Sequence, residues 1–187
     1  MAKIIKKRLL VFIFIGIFAG WIGLLYYYPP PELVKLLGVQ NGYLAGFIAA
    51  FLAGISTFTT VPYSLLIVTL GAGGLNPFLL GIIAGLGLTI GDTVSYYLGY
   101  HGREILSSRL QTIFERFFRW CSLRPKLIPV GLFLYGALVP FTNDLVVISM
   151  GLARYPYLRL MIPLGLGNMV FNTGAAFAGI YGFTLFF

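Results

Sequence analysis

Acidic residues are scarce in this chain. Only five Asp and Glu stand against thirteen Lys and Arg, and all charged residues together make up 10% of its 187 positions. That is too little charge to cover a soluble globule of this size. Cysteine is scarcer still: Cys121 is the only one, which excludes an internal disulfide framework and leaves no Cys/His zinc pattern. No grouping of Ser, Cys or metal ligands forms a catalytic constellation, so the residues point to no enzyme, no metal centre and no cofactor. What is abundant is apolar: 59% hydrophobic residues and 24 glycines. These proportions predict an all-α integral membrane protein. A net charge of +8 also fits a nucleic-acid binder. The basic residues, however, gather at the edges of apolar segments, so a nucleic-acid partner is not expected.

The first segment, "LLVFIFIGIFAGWIGLLYYY" (residues 9–28), is about 20 apolar residues, enough to cross the roughly 30 Å hydrocarbon core as a helix. Lys3, Lys6, Lys7 and Arg8 resemble the charged start of a signal peptide. The apolar run is too long for that alternative, and "YYYPPP" reads better as an interfacial aromatic belt than as a cleavage site. After a short amphipathic piece come two half-length apolar arms, Leu44 to Ile55 and Leu65 to Gly74, joined by the polar, Pro-containing "STFTTVPYS". This is the pattern of a re-entrant hairpin, which enters and leaves by one face. A full span follows, Pro77 to Tyr100.

The order then recurs. A basic connector (101–127) precedes the arm "IPVGLFLYGALV", the tip "PFTND", the arm "LVVISMGLA" and a last span from about Leu160 to Phe186. An offset of 80 residues superposes Leu65 on Leu145, Gly71 on Gly151, Asp92 on Asn172, Thr93 on Thr173 and Gly99 on Gly179. Duplication follows. With the N-terminus in the cytoplasm, every Lys and Arg except Lys35 falls on the inner side. The two repeats are then inverted, as in many secondary transporters. The expected organisation is an N-terminal span with an external segment (1–43), repeat one (44–100), a cytoplasmic connector (101–127) and repeat two (128–187), in the plasma membrane.

Pro140 ends an arm where hydrocarbon cannot satisfy the freed backbone, and Thr142, Asn143 and Asp144 bring polar side chains to that place. Asp144 is expected to cap the following arm, whose N-terminal dipole favours an anion. Pro62, with Thr57, Thr59, Thr60 and Ser64, forms the matching tip. If the repeats pack about a pseudo-twofold, the two tips face each other. Only Asp92 and Asp144 among the acids fall in apolar segments, where an ionisable residue is a functional-site hypothesis by default. Asp144 reads as a proton acceptor or part of a headgroup site, against a plain helix cap. Asp92, about two turns from the inner end of its span, reads as the same or as a local partner of Thr89, Ser95 or Arg103. Asn172 and Thr173 read first as interhelical packing and hydrogen-bonding residues, and second as part of the path.

"GAGG" and "GLG" suit close helix approach better than phosphate binding, since no strand precedes them. His101 reads as an interfacial residue. In the connector, Arg103, Arg109, Arg116, Arg119, Arg124 and Lys126 alternate with Leu, Ile, Phe and Trp, as in an interfacial helix on anionic lipid headgroups.

The ordering "VPYSLLIVTLGAGGLNPFLLGIIAGLGLTIGDTVSYYLGYHGRE", a basic loop, then "YGALVPFTNDLVVISMGLARYPYLRL" and a glycine-bearing last span resembles the DedA superfamily, also called the VTT or SNARE-associated Golgi protein family, over about residues 40–185. The resemblance implies a lipid transporter or scramblase with two facing re-entrant hairpins, phospholipids as partners and, for some bacterial members, proton coupling. Many of those members carry an acid shortly after the first-hairpin proline, where this chain has Ser64. They carry arginines around the second, where it has Ala137 and Asn143. A guanidinium is the natural bidentate partner of a phosphate. The expectation is therefore a divergent branch, with a zwitterionic or different substrate, or scrambling without strong coupling. A proton- or ion-coupled carrier of a small solute and a non-transporting membrane scaffold are the alternatives.

Overall fold

A computed structural model describes residues 16, 19–21, 23, 25, 27–55, 60–105, 108–123, 126–140 and 142–186. Most of the first predicted span and the Thr57 and Thr59 part of the first tip lie outside the described residues. Everything regular among the described residues is helical: α1 Pro30–Leu37, α2 Val39–Ile55, α3 Thr60–Ala72, α4 Pro77–Gly102, a 3-10 turn Arg103–Ile105, α5 Ser108–Ser122, α6 Leu127–Leu138, α7 Asp144–Leu152 and α8 Tyr157–Phe186. Two of these, α4 and α8, are long and apolar enough to cross a membrane; α1 and α2, bent by 100° at their junction, add a third if counted as one span.

The first arm is longer than expected. It begins at Val39 rather than Leu44, because a single residue, Gly38 at φ +80, ends α1 and lets the chain turn sharply into α2. Pro62 lies inside the first turn of α3, where a missing N–H costs nothing, rather than in the break itself. The start of α4 is fixed by Asn76, whose side chain accepts from the N–H groups of Phe78 and Leu79, with Pro77 preset for the first helical position.

The long helices α4 and α8 pack on each other through small residues: Gly81 on Thr173, Gly85 on Met169 and Gly165 on Thr89. Each then receives one helix of the pair α2 and α3 and one of the pair α6 and α7. Along α4 lies α2, with Gly87 and Gly91 set against the carbonyls of Phe47 and Phe51, while α7 crosses it where Gly99 meets Ile148 and Gly151 meets Tyr96. Along α8 lies α6, with Gly167 against Phe133 and Gly136 against Leu164, while α3 crosses it where Gly71 meets Ala176 and Gly179 meets Val68. The α7/α4 and α3/α8 crossings are related by the 80-residue shift of the sequence. That shift also relates two turns. Gly74 and Arg154 both adopt positive φ, and the N–H groups of Leu75 and Tyr155 reach back to the carbonyls of Leu70 and Met150. Residues 77–90 and 157–170 carry the same pattern of burial position for position.

Large apolar side chains line the outside: Ile82, Leu86, Ile90 and Val94 on α4, and Leu158, Ile162, Leu166 and Val170 on α8. Such rows at four-residue spacing suit a hydrocarbon environment. Inside are two apolar clusters. One gathers Ile67, Leu70, Leu80, Ala84, Leu88 and Ala176, the other Tyr96, Leu132, Val147, Met150, Leu160 and Leu164.

Candidate functional site

Between these clusters the helices turn polar. On α4, Asp92 and Ser95 separate Leu88 from Tyr96; on α8, Asn168 and Asn172 separate Leu164 from Ala176. By the helical rise, Asp92 lies about 22 Å from the start of α4 and about 15 Å from its end, in the interior of the helix. The tip between α6 and α7 reaches this layer. Asn143 Nδ2 donates to Asp92 Oδ2 at 2.7 Å and to Asn168 Oδ1 at 3.2 Å, and Asn168 Nδ2 donates to Asp92 Oδ2 at 3.4 Å. Ser95 Oγ donates to Asp144 Oδ1 at 2.9 Å and lies 3.3 Å from the Gly54 carbonyl near the end of α2. Asn172 Nδ2 donates to the Asn168 carbonyl one turn back.

Several expectations are corrected here. Asp92 does not reach interfacial water: it is 1% exposed. Nor do its three expected neighbours hold it. Thr89 donates to the Gly85 carbonyl, Ser95 to Asp144, and Arg103 to Glu115 at 2.8 Å. Asp144 is not the cap of α7 either. The capping position falls on Asn143, whose side chain makes no cap bond, and Asp144 is the first helical residue, where an acid still meets the positive end of the dipole. Thr173 and Asn172 follow the packing reading in part. The Thr173 hydroxyl donates to the Met169 carbonyl, as Thr93 does to Thr89.

A cavity of about 20 Å³, room for one water, opens beside the layer. Its lining brings the two tips together: Tyr63 and Ser64 from the first, Pro140, Thr142 and Asn143 from the second, and Asn168 from α8. Pro62 is half-buried at the start of the same helix as Ser64, and Thr60 begins that helix. The Tyr135 hydroxyl donates to the Thr142 carbonyl at 3.0 Å and so braces the second tip from α6. Tyr63, Tyr135 and Asn168 were not singled out from the sequence, and Ser95 only as a partner of Asp92; Asn168 was legible there, because it precedes Asn172 by one helical turn on the same face.

The basic connector divides. Arg103 ties α4 to α5 through Glu115 and lies 3.5 Å from the Leu152 carbonyl at the end of α7, with its side chain only 14% exposed. It is a brace rather than a headgroup contact. Arg116, Arg119 and Lys126 are exposed, beside exposed Ile113 and Trp120, while Phe117 of the same helix packs on the second apolar cluster. Arg124 lies outside the described residues, as does the side chain of Arg109.

Among the described residues these features define an all-helical arrangement, with two or three helices long and apolar enough to span a bilayer and a polar layer buried where the shorter helices break. No family model, curated protein or solved structure matches the chain.

Proposed function

We propose that the chain is a multi-pass plasma-membrane protein, N-terminus inside, that moves phospholipids between leaflets along a polar path at the tips of two inverted re-entrant hairpins. The observation that carries this reading is the buried layer of Asp92, Ser95, Asn143, Asp144 and Asn168, which joins the interior of the apolar helices α4 and α8 to the start of α7, beside a cavity lined by both tips. A headgroup crossing hydrocarbon needs polar partners at mid-depth, whereas its acyl tails can stay in lipid. Support for an inverted repeat comes from the paired helix crossings and turns at one 80-residue shift. The DedA-like ordering of motifs gives the same function, with Ser64, Ala137 and Asn143 replacing the charged residues of many bacterial members and Asp144 supplying an acid in the second tip. The exposed bases of the connector, Arg116, Arg119 and Lys126, fit an anionic inner leaflet.

The experiment is dithionite bleaching of headgroup-labelled lipid in sealed proteoliposomes. Bleaching beyond the outer-leaflet half, absent from protein-free vesicles, supports the reading. Bleaching confined to the outer leaflet rejects passive scrambling. A second reading, ion-coupled transport of a small solute, draws on the cavity's size, which admits about one water rather than a headgroup. Uptake of a water-soluble substrate driven by an ion gradient would favour it.

A further inference from the structure

The outward side of the α4/α8 pair carries a groove of about 300 Å³ that runs along α8 from Tyr157 to Met169. Its floor is low where Gly165, without a side chain, lies against Thr89, and Leu86, Leu158, Ile162 and Leu166 stand exposed around it. Nothing in it asks for a polar ligand. The Thr89 hydroxyl donates to the Gly85 carbonyl, and the Tyr157 hydroxyl is paired with that of Thr93 at 2.9 Å. The rest of the lining is apolar, with Met161 and Met169 as walls that adapt to an irregular occupant.

Length and ends say what fits. Residues 157–169 span about 18 Å at the helical rise, close to the roughly 15 Å that one leaflet contributes to a hydrocarbon core of about 30 Å. The Tyr157 end is also where the two helices gather aromatic and basic residues. Tyr157 stacks on Tyr97 and Tyr97 on His101, as in an interfacial belt. Arg154 and Arg159 stand exposed there. Arg154 lies over the Tyr100 ring and 3.7 Å from Glu104, so its charge is matched. Arg159, one residue from Leu158, makes no ion pair among the described residues. The far part of α8, residues 170–186, has no charged side chain at all. The groove thus has one charged mouth, and the charge in excess is positive.

We infer that the groove holds one acyl chain of an anionic phospholipid, whose phosphate pairs with Arg159 at the Tyr157 end. An arginine can lay its stem along apolar surface and keep its guanidinium at headgroup level, where it bonds a phosphate through two N–H groups. A slot one leaflet deep with a base at its mouth matches a lipid; a helix from a second copy would run the full length of the pair. The site lies on the outer face of the long helices and not at the polar layer, so lipid binding here and lipid movement at the tips can fail separately.

The test uses the full chain in vesicles of phosphatidylcholine and phosphatidylglycerol. With Trp21→Phe and Trp120→Phe removing both native tryptophans, Ile162→Trp sets a single fluorophore on the groove wall, and Leu134→Trp sets it on an exposed position of α6. Quenching by lipids brominated on their acyl chains reports which lipid occupies each place. Phosphatidylglycerol should be preferred about fivefold at position 162, the equivalent of about 1 kcal/mol for one base near a membrane surface, and about equally with phosphatidylcholine at position 134. Arg159→Gln should abolish the preference at position 162, and Arg116→Gln should leave it. Equal quenching by both lipids at position 162, the same preference at both positions, or a preference that survives Arg159→Gln overturns the site. If the reporter chains do not fold, native mass spectrometry of the unmodified protein decides. One phosphatidylglycerol retained per chain under activation that strips phosphatidylcholine, and lost in Arg159→Gln, is expected; no retained lipid, or a protein dimer in its place, overturns the inference.

Discussion

Replacing Asn143 by Ala removes the strongest donor to Asp92 and leaves Oδ2 with only the 3.4 Å contact from Asn168. It costs no helix cap, because the Asn143 side chain makes no cap bond to α7. Stranding a buried acceptor costs about 1–3 kcal/mol in soluble proteins, while interhelical hydrogen bonds in bilayers average about 0.6 and reach about 1.7 kcal/mol. A 2.7 Å bond to a carboxyl group at 1% exposure belongs near the top of the membrane range, so a loss of about 2 kcal/mol is expected, roughly thirtyfold in the folding equilibrium. The assay is reversible unfolding in mixed micelles, run as a double-mutant cycle with Asp92→Leu. In the Asp92→Leu background the same substitution should cost no more than about 0.6 kcal/mol, a coupling of about 1.4 kcal/mol. Additive costs, with the cycle closing near zero, would show that the Asn143 to Asp92 bond does not hold the second tip to α4.

Gly179→Ala sets a methyl against the Val68 main chain and should destabilise by about 1–3 kcal/mol, whereas Gly174→Ala, with open space at its Cβ position, should be neutral or stabilising by up to about 1 kcal/mol. Thermal unfolding of the two variants side by side distinguishes close helix approach from a general intolerance of side chains in α8. Arg116→Gln and Arg119→Gln should each weaken the protein's effect on anionic lipid by about 1 kcal/mol, read as loss of protection of α5 from protease in phosphatidylserine vesicles relative to neutral ones. Arg103→Gln should instead expose α5 to protease equally in both vesicle types, because it breaks the tie to Glu115. Ser64→Leu places apolar bulk in the cavity between the tips and should slow lipid movement without changing the amount of folded protein.

The two long helices were legible because their boundaries are written in local chemistry: Asn76 and Pro77 start α4, and apolar runs of span length continue both. The break between α6 and α7 was legible for the same reason, since Pro140 and the polar residues after it separate the two helices. The start of α2 was not, because one glycine in an unusual backbone region ends α1, and periodicity cannot register a break of one residue. At the site, Asp92, Asn143 and Asp144 stood out as polar groups in apolar surroundings. Their pairing did not, because Asp92 meets Asn143 and Asn168 across sequence separations that depend on how four helices cross. The 80-residue shift paired Asp92 with Asn172 by position in the repeat, while the direct bond goes to Asn168 one turn earlier. Arg103 was grouped with the connector's other bases because charge alone does not show that Glu115 folds back onto it.

The central claim is that lipid headgroups cross at the hairpin tips, and the most direct measurement is the dithionite rate for inner-leaflet label in matched proteoliposomes of wild type and Asp144→Ala. The Asp144 carboxyl group, held by Ser95 at the start of α7, contributes the acid of the second tip. Rapid bleaching of the inner-leaflet label by wild type, reduced at least tenfold in folded Asp144→Ala, is the predicted result. Equal rates in the two proteins, or no inner-leaflet bleaching by either, would contradict it.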